Sequence, residues 1–290
     1  MRGAPLLGSK FSHATMLHPC FNPLAHFNYA RLHLPVAPRC NIQCGYCKRG
    51  LNKCEVRPGV ASKVLSPKEA LERVKRAVEE WPNLTVVGVA GPGDPLANEE
   101  TFITLNMVHT EFPHLIKCIA TNGLALPDNV DRLVEVGVRT VTVTVNGVSP
   151  EVCSKIYEWV SYGGRKFRGV KAAKLLIERQ LEGIELATAR GLRVKVNTVL
   201  IPGVNDRHVV EVAKEVAKLG AQIMNIIPLI PLHRFKDHRP PTCEELKAAR
   251  EACSKYIPQF RLCKLCRADA CGVPGFEPGL ASRLLGADAH

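Results

Sequence analysis

The sequence predicts an α/β fold, an incomplete (β/α)6 TIM-like barrel with an extension at each end. Three observations lead there. Short apolar or β-branched runs alternate with amphipathic helical stretches, and strands buried on both faces between helices imply a parallel sheet with right-handed crossovers. The length of 290 residues suits one barrel-sized unit. Five of the predicted strands are followed by turns rich in Gly, Pro, Asn or Cys, at the end of a barrel where active residues gather.

The elements follow in order. Leu32–Val36 is the first strand, and the loop after it carries Cys40, Cys44 and Cys47. Ser66-Pro67-Lys68-Glu69 is a capping box with proline at the first helical position; it opens a helix to about Trp81 whose apolar stripe is Leu71, Val74, Ala77 and Val78. Pro82-Asn83 ends that helix, and Leu84–Ala90 reads as a short apolar strand followed by Gly91-Pro92-Gly93-Asp94-Pro95. A helix near Glu99–Thr110 leads to a strand at Leu115–Ala120, the turn Thr121-Asn122-Gly123, and a helix at Asp128–Val136. Val138–Val145 alternates Val with Thr, the strongest strand signal, and ends in Asn146-Gly147. Two helices, about 150–160 and 170–190, precede the strand Arg193–Leu200 and its turn Ile201-Pro202-Gly203. The helix Asp206–Leu219 and the strand Gln222–Ile227 complete about six βα units. The expected division is a flexible tail at 1–17, an extension with the first strand at 18–39, the barrel at 40–230, and a C-terminal extension at 231–290.

Composition narrows the function. No run approaches the ~18 apolar residues of a membrane span, and the first 19 residues hold no apolar signal-peptide core. Twelve cysteines without a secretion signal point to a reducing, cytoplasmic setting and to metal ligation. The net charge of +12 is scattered along the chain without a nucleic-acid motif, which favours a solvated basic surface or an acidic protein partner over nucleic acid.

Cys40-x3-Cys44-x2-Cys47 is the most informative motif. Three thiolates on one short loop can hold three irons of a 4Fe–4S cubane and leave the fourth iron open for chemistry. Zinc or a redox relay is the alternative, although zinc sites more usually pair two C-x2-C halves. The spacing resembles the radical S-adenosylmethionine (SAM) superfamily, in which the open iron chelates SAM and one electron releases a 5′-deoxyadenosyl radical. That resemblance implies that Tyr46 packs against the adenine and that Gly91, Gly93 and Asp94 receive the SAM amino group. Thr144 and Asn146 would lie near the SAM ribose or carboxylate, Ile201 against the adenine, and Asn122 is a further candidate SAM-binding residue on the same rim.

Other cysteines remain. Cys20, Cys54 and Cys118 lie around the first three, and Cys263-Lys264-Leu265-Cys266 sits in a polar C-terminal segment with Cys271 five residues on. Cys153, Cys243 and Cys253 fall in predicted helices and read as small core residues.

A more specific resemblance covers roughly residues 18–272. It runs through His18-Pro19-Cys20, Ala25-His26, Tyr29–His33, Pro35–Pro38 and Cys40–Cys44. It continues through Glu55, Arg57–Val60, Ala90–Asn98, Thr121–Leu124, Pro150–Val152, Lys155–Tyr157, Ile201–Asp206, Asn225-Ile226, Pro228–Ile230 and Cys263–Ala270. These segments resemble the NifB family, radical SAM enzymes that build the precursor of the nitrogenase iron–molybdenum cofactor.

The resemblance implies SAM and three 4Fe–4S clusters. Cys40, Cys44 and Cys47 would hold the SAM-cleaving cluster; Cys20, Cys54 and Cys118 with a releasable His33 would hold one substrate cluster; Cys263 and Cys266 would hold the other. One SAM would methylate a cluster sulfide, and a second would supply the radical that strips hydrogen from that methyl. Deprotonation would then leave a carbide in a fused eight-iron cluster with one added sulfur, a lyase-type reaction. Glu55 is a candidate proton acceptor or an ion-pair partner of Arg57, and His18 and His26 stay unassigned. The implied partners are an iron–sulfur cluster donor, an external reductant, and a carrier or scaffold protein that accepts the product. The end at residue 290 resembles the short archaeal form without a carrier domain, and Cys271 departs from the family pattern. The competing readings are another radical SAM enzyme with auxiliary clusters, of the peptide-modifying or molybdopterin type, and a non-catalytic iron–sulfur scaffold.

Overall fold

Six of the predicted strands do form one parallel sheet in the computed structural model, which describes residues 12–276. They are β1 (Ala30–His33), β2 (Leu84–Val89), β3 (Ile116–Thr121), β4 (Val138–Thr144), β5 (Arg193–Leu200) and β6 (Ile223–Pro228), each paired with its neighbours in chain order. A short seventh strand, β7 (Cys271–Gly272), pairs antiparallel with β1. The sheet ends at β6 on one side and β7 on the other, so the barrel is incomplete as expected.

The helices cover the outside. In Pro67–Glu80 the capping box forms: Glu69 N–H donates to Ser66 Oγ at 3.3 Å, and Ser66 N–H donates to the Glu69 carboxylate at 2.8 Å. That helix turns Ala70, Leu71, Val74 and Ala77 into the core, and burying each Leu or Val is worth about 1.5–3 kcal/mol.

Period-two alternation divides each strand between two environments. Leu32, Val87, Ile119, Val141, Val143, Val194 and Val196 belong to the apolar layer under the helices. The intervening residues, among them Arg31, His33, Gly88, Cys118, Thr142, Thr144, Lys195 and Asn197, line an internal cavity. The concave face is therefore polar and hollow, where the sequence suggested strands apolar on both faces.

Four local expectations change. The first strand begins two residues earlier than Leu32. The helix expected over 150–160 stops at Ile156, because Tyr157–Tyr162 is rich in strand-forming aromatics and forms a hairpin with Arg165–Phe167 around Gly163-Gly164. Residues 12–16 of the expected loose tail form a helical turn that packs on β4 and β5, with Ala14 fully buried; residues 1–11 lie outside the described residues. Cys271 lies in β7, buried in the main core opposite Leu32. Among the described residues, no helix is long and apolar enough to cross a membrane.

Candidate functional site

The cavity has a volume of about 330 Å³ and opens at the strand C-terminal ends. Three groups of ligand-type side chains border it: Cys40, Cys44 and Cys47; Cys20, His33 and Cys118; and Cys263 with Cys266. All these cysteines are free thiols.

The first cysteine loop is anchored on both sides. Ile42–Cys44 pairs antiparallel with the strand Tyr157–Tyr162, and Gly45 N–H donates to the Ile156 carbonyl at 2.7 Å. The Gln43 amide donates to the carbonyls of Cys44 and Cys47 at 3.0 and 2.9 Å, which closes the loop on itself. On the other flank Gly93 N–H donates to the Ala37 carbonyl at 2.6 Å. A Cβ at Gly93 would run into the Arg39 carbonyl, so only glycine lets the two rim turns approach this closely.

Asp94 ties two rim turns together. Its buried carboxylate accepts from Asn122 N–H at 2.6 Å, from the Thr121 hydroxyl at 3.0 Å and from Leu96 N–H at 2.9 Å. Burial raises its pKa, and these hydrogen bonds oppose the rise. Asn122 in turn donates to Asn41 Oδ1 at 2.7 Å and lies 3.8 Å from Cys40 Sγ.

Of the residues assigned to SAM, Tyr46, Gly93, Asp94, Asn122 and Thr144 border the cavity, whereas Gly91, Asn146 and Ile201 stand behind it. Asn146 is fully buried; its Nδ2 donates to the hydroxyls of Tyr46 and Tyr157 at 2.8 and 3.1 Å, and its Oδ1 accepts from Val199 N–H. It orients Tyr46 from behind. Ile201 is buried in a second apolar cluster with Leu229 and Phe235.

Among the substrate-side candidates, Cys54 stands apart on an exposed loop held by Asn52 Oδ1, outside the cavity. Glu55 is engaged by Arg57, whose Nε donates to Oε2 at 2.5 Å and holds the exposed carboxylate below its ordinary pKa. His33 Nδ1 lies 3.0 Å from the Arg267 carbonyl. A carbonyl only accepts, so Nδ1 carries the proton and Nε2 keeps the lone pair a metal needs. Burial pushes His33 down to about 4, which keeps the ring neutral.

The sequence reading did not assign Arg31, Lys195, Asn197 or His18, yet all four line the cavity. A signal existed for two of them: Arg193, Lys195 and Asn197 are polar at alternate positions of the strand, with Val194 and Val196 between them.

The thiols suit a cluster. Burial pushes Cys20 and Cys40 up to about 12 and Cys44 well above its ordinary value, so binding must replace protons with metal. Among the described residues, no three Cys, His, Asp or Glu side chains converge as a single ion requires. A cubane offers a separate iron to each thiolate and does not need that convergence.

Comparison with known proteins agrees. Residues 34–216 match the radical SAM superfamily model. The chain is 54% identical over 267 residues to the FeMo cofactor biosynthesis protein NifB of Methanocaldococcus infernus, covering 91% of this chain and 88% of that protein. Identity to the Methanocaldococcus jannaschii protein of the same name is also 54% over 267 residues, covering 91% and 89%. The Herbaspirillum seropedicae NifB is 46% identical over 266 residues, with 89% of this chain and 51% of that longer protein covered. Two solved structures share the fold. A radical SAM methyltransferase from Sphaerobacter thermophilus gives a TM-score of 0.53 at 20% identity, covering 80% of this chain and 64% of that one. Streptococcus suis SuiB gives 0.60 at 14% identity, covering 84% and 53%. The chain belongs to the radical SAM superfamily and, within it, to the NifB family.

Proposed function

We propose that the protein acts in FeMo-cofactor biosynthesis by joining two 4Fe–4S substrate clusters around a carbide taken from SAM, with one sulfur added from outside. The observation that carries this reading is the single cavity bordered by all three ligand groups. A non-catalytic scaffold has no use for the SAM-type rim of Gly93, Asp94 and Asn122.

When bound at Cys40, Cys44 and Cys47, a 4Fe–4S cluster supplies one electron and an open iron for reductive SAM cleavage. The chain's own residues position the reactants. Asp94 fixes Asn122 at the rim, and Asn146 fixes Tyr46 beside the cysteine loop. Cys20, His33 and Cys118 hold one substrate cluster, and Cys263 and Cys266 hold the other. A neutral imidazole releases its metal more readily than another thiolate, which suits a product that must leave. Cys54 is a fourth candidate for the first substrate cluster, reached if its exposed loop folds inward. Glu55 serves as a proton acceptor only once Arg57 has let it go. One SAM gives its methyl to a cluster sulfide and leaves as S-adenosylhomocysteine. The other, split by one electron from the external reductant into methionine and a 5′-deoxyadenosyl radical, takes a hydrogen atom from that methyl and leaves as 5′-deoxyadenosine. An iron–sulfur donor, an external reductant and a carrier or scaffold for the product complete the reaction.

The test is anaerobic reconstitution followed by SAM and a reductant. The expected result is about twelve irons per chain, as three cubanes, with both 5′-deoxyadenosine and S-adenosylhomocysteine released. Formation of 5′-deoxyadenosine alone would indicate a simpler radical SAM enzyme and sink the carbide reading.

A further inference from the structure

Lys195 projects from β5 into the cavity. It is only 5% exposed, and among the described residues no carboxylate forms an ion pair with it. Its Nζ donates to the Cys20 carbonyl at 3.2 Å and faces the rings of Phe21 and Phe260 at 5.3 and 5.5 Å from their centres. One neutral carbonyl and two ring faces more than 5 Å away supply no formal negative charge to the ammonium, and a buried cation without a counter-charge is costly.

The missing counter-charge is indicated by what surrounds the amine. The Lys195 charge reaches Cys20, His33 and Cys118 together, and His18 beside them. Those are the inner ligands of one proposed substrate cluster, and a thiolate-ligated cluster carries net negative charge. The Arg31 charge also reaches Cys20 and His33, and its Nη2 lies 3.1 Å from Cys266 Sγ, so this second cation is shared with the other ligand pair.

We propose that Lys195 is a substrate-positioning residue whose ammonium binds the anionic iron–sulfur substrate held by Cys20, His33 and Cys118. This rests on the substrate-cluster reading above and adds the group that recognises the cluster's charge. A fixed cation beside a cluster favours the form with one more electron, so it raises the cluster's reduction potential. It also retains the cluster while the ligand set is kept small enough for release.

The test uses the full chain, reconstituted without oxygen, as wild type and as Lys195→Met and Lys195→Arg. The measurements are iron per chain and the midpoint potential of the signal that disappears in Cys118→Ala. Lys195→Met should lower that potential, by more than it lowers the potential of the cluster at Cys40, Cys44 and Cys47, and should speed iron loss to a chelator. Lys195→Arg keeps the charge and should recover most of both. A side chain needed only for packing would be rescued by the isosteric Met and not by the bulkier Arg, and that pattern overturns the proposal. A Cys118-dependent signal whose potential ignores the Met substitution overturns the proposal and leaves the substrate-cluster reading standing. If no signal depends on Cys118 in the wild type, the substrate-cluster reading fails and this inference falls with it.

Discussion

Arg31 Nη2 lies 3.1 Å from Cys266 Sγ while Nη1 of the same guanidinium donates to the Gly272 carbonyl at 2.5 Å. One buried side chain on β1 thus fastens both the C-x2-C segment and the β7 strand that follows it. Replacing it with methionine leaves the Gly272 carbonyl without its donor and should cost about 2 kcal/mol of stability. Reconstituted Arg31→Met should also lose about four irons, one cubane. Lysine keeps the charge without the fork, so it should restore iron less well than arginine. Iron content equal to wild type in Arg31→Met would remove Arg31 from the site.

Asp94 offers a sharper test of the rim. Every group it meets is a donor: two backbone N–H groups and a hydroxyl. Asp94→Asn would turn an NH₂ toward one of those donors, at a cost of about 2 kcal/mol. Because Asn122 is positioned by that carboxylate, SAM affinity measured by equilibrium dialysis should fall with stability. Unchanged affinity at reduced stability would show that Asp94 braces the fold without shaping the SAM site.

The order of strands and the rim turns were legible because they are written in local chemistry. The Ser66–Glu69 capping box, the Val/Thr alternation of 138–145 and the C-x3-C-x2-C spacing each act within a few residues. The cavity wall was not legible in the same way. Whether Lys195 points inward depends on the parity of β5 against β4, a register fixed by pairs such as Lys195 with Thr142. Asn146 and Ile201 were placed at the correct turns yet lie one layer behind the cavity, because a rim position does not say which way its side chain turns. The strand Tyr157–Tyr162 has one local partner, Arg165–Phe167 across Gly163-Gly164, and one distant partner, the cysteine loop more than 110 residues earlier. Only the local pairing could leave a signal in the sequence.

Stability and chemistry should separate at the capping box. Ser66→Ala removes the side-chain acceptor of Glu69 N–H and should lower unfolding free energy by about 1 kcal/mol without changing the ratio of the two nucleoside products. Ser66 is not among the residues lining the cavity, so a changed ratio would mean that the Pro67–Glu80 helix is coupled to the site.

Lys117 predicts a pH effect on the face opposite the cavity. It sits on β3 beside Cys118 but turns away from it, buried, with Nζ donating to the carbonyls of Phe112 and Pro113 at 3.3 and 3.2 Å. Burial first, and the Arg139 charge second, pull its pKa from 10.5 down to about 8. The folded value lies below the unfolded one, so the folded state penalises the charged amine. That penalty is complete below about pH 8, and it is relieved as pH rises toward 10.5, where the unfolded chain still holds the proton the folded chain has lost. Stability from this group therefore rises across that window. Lys117→Met abolishes the dependence, so its stability relative to wild type should be greatest near neutral pH and should shrink by about pH 9.5. Anaerobic urea unfolding of both chains at the two pH values checks it. A difference that stays constant, or grows with pH, would show that Lys117 is already solvated in the folded protein.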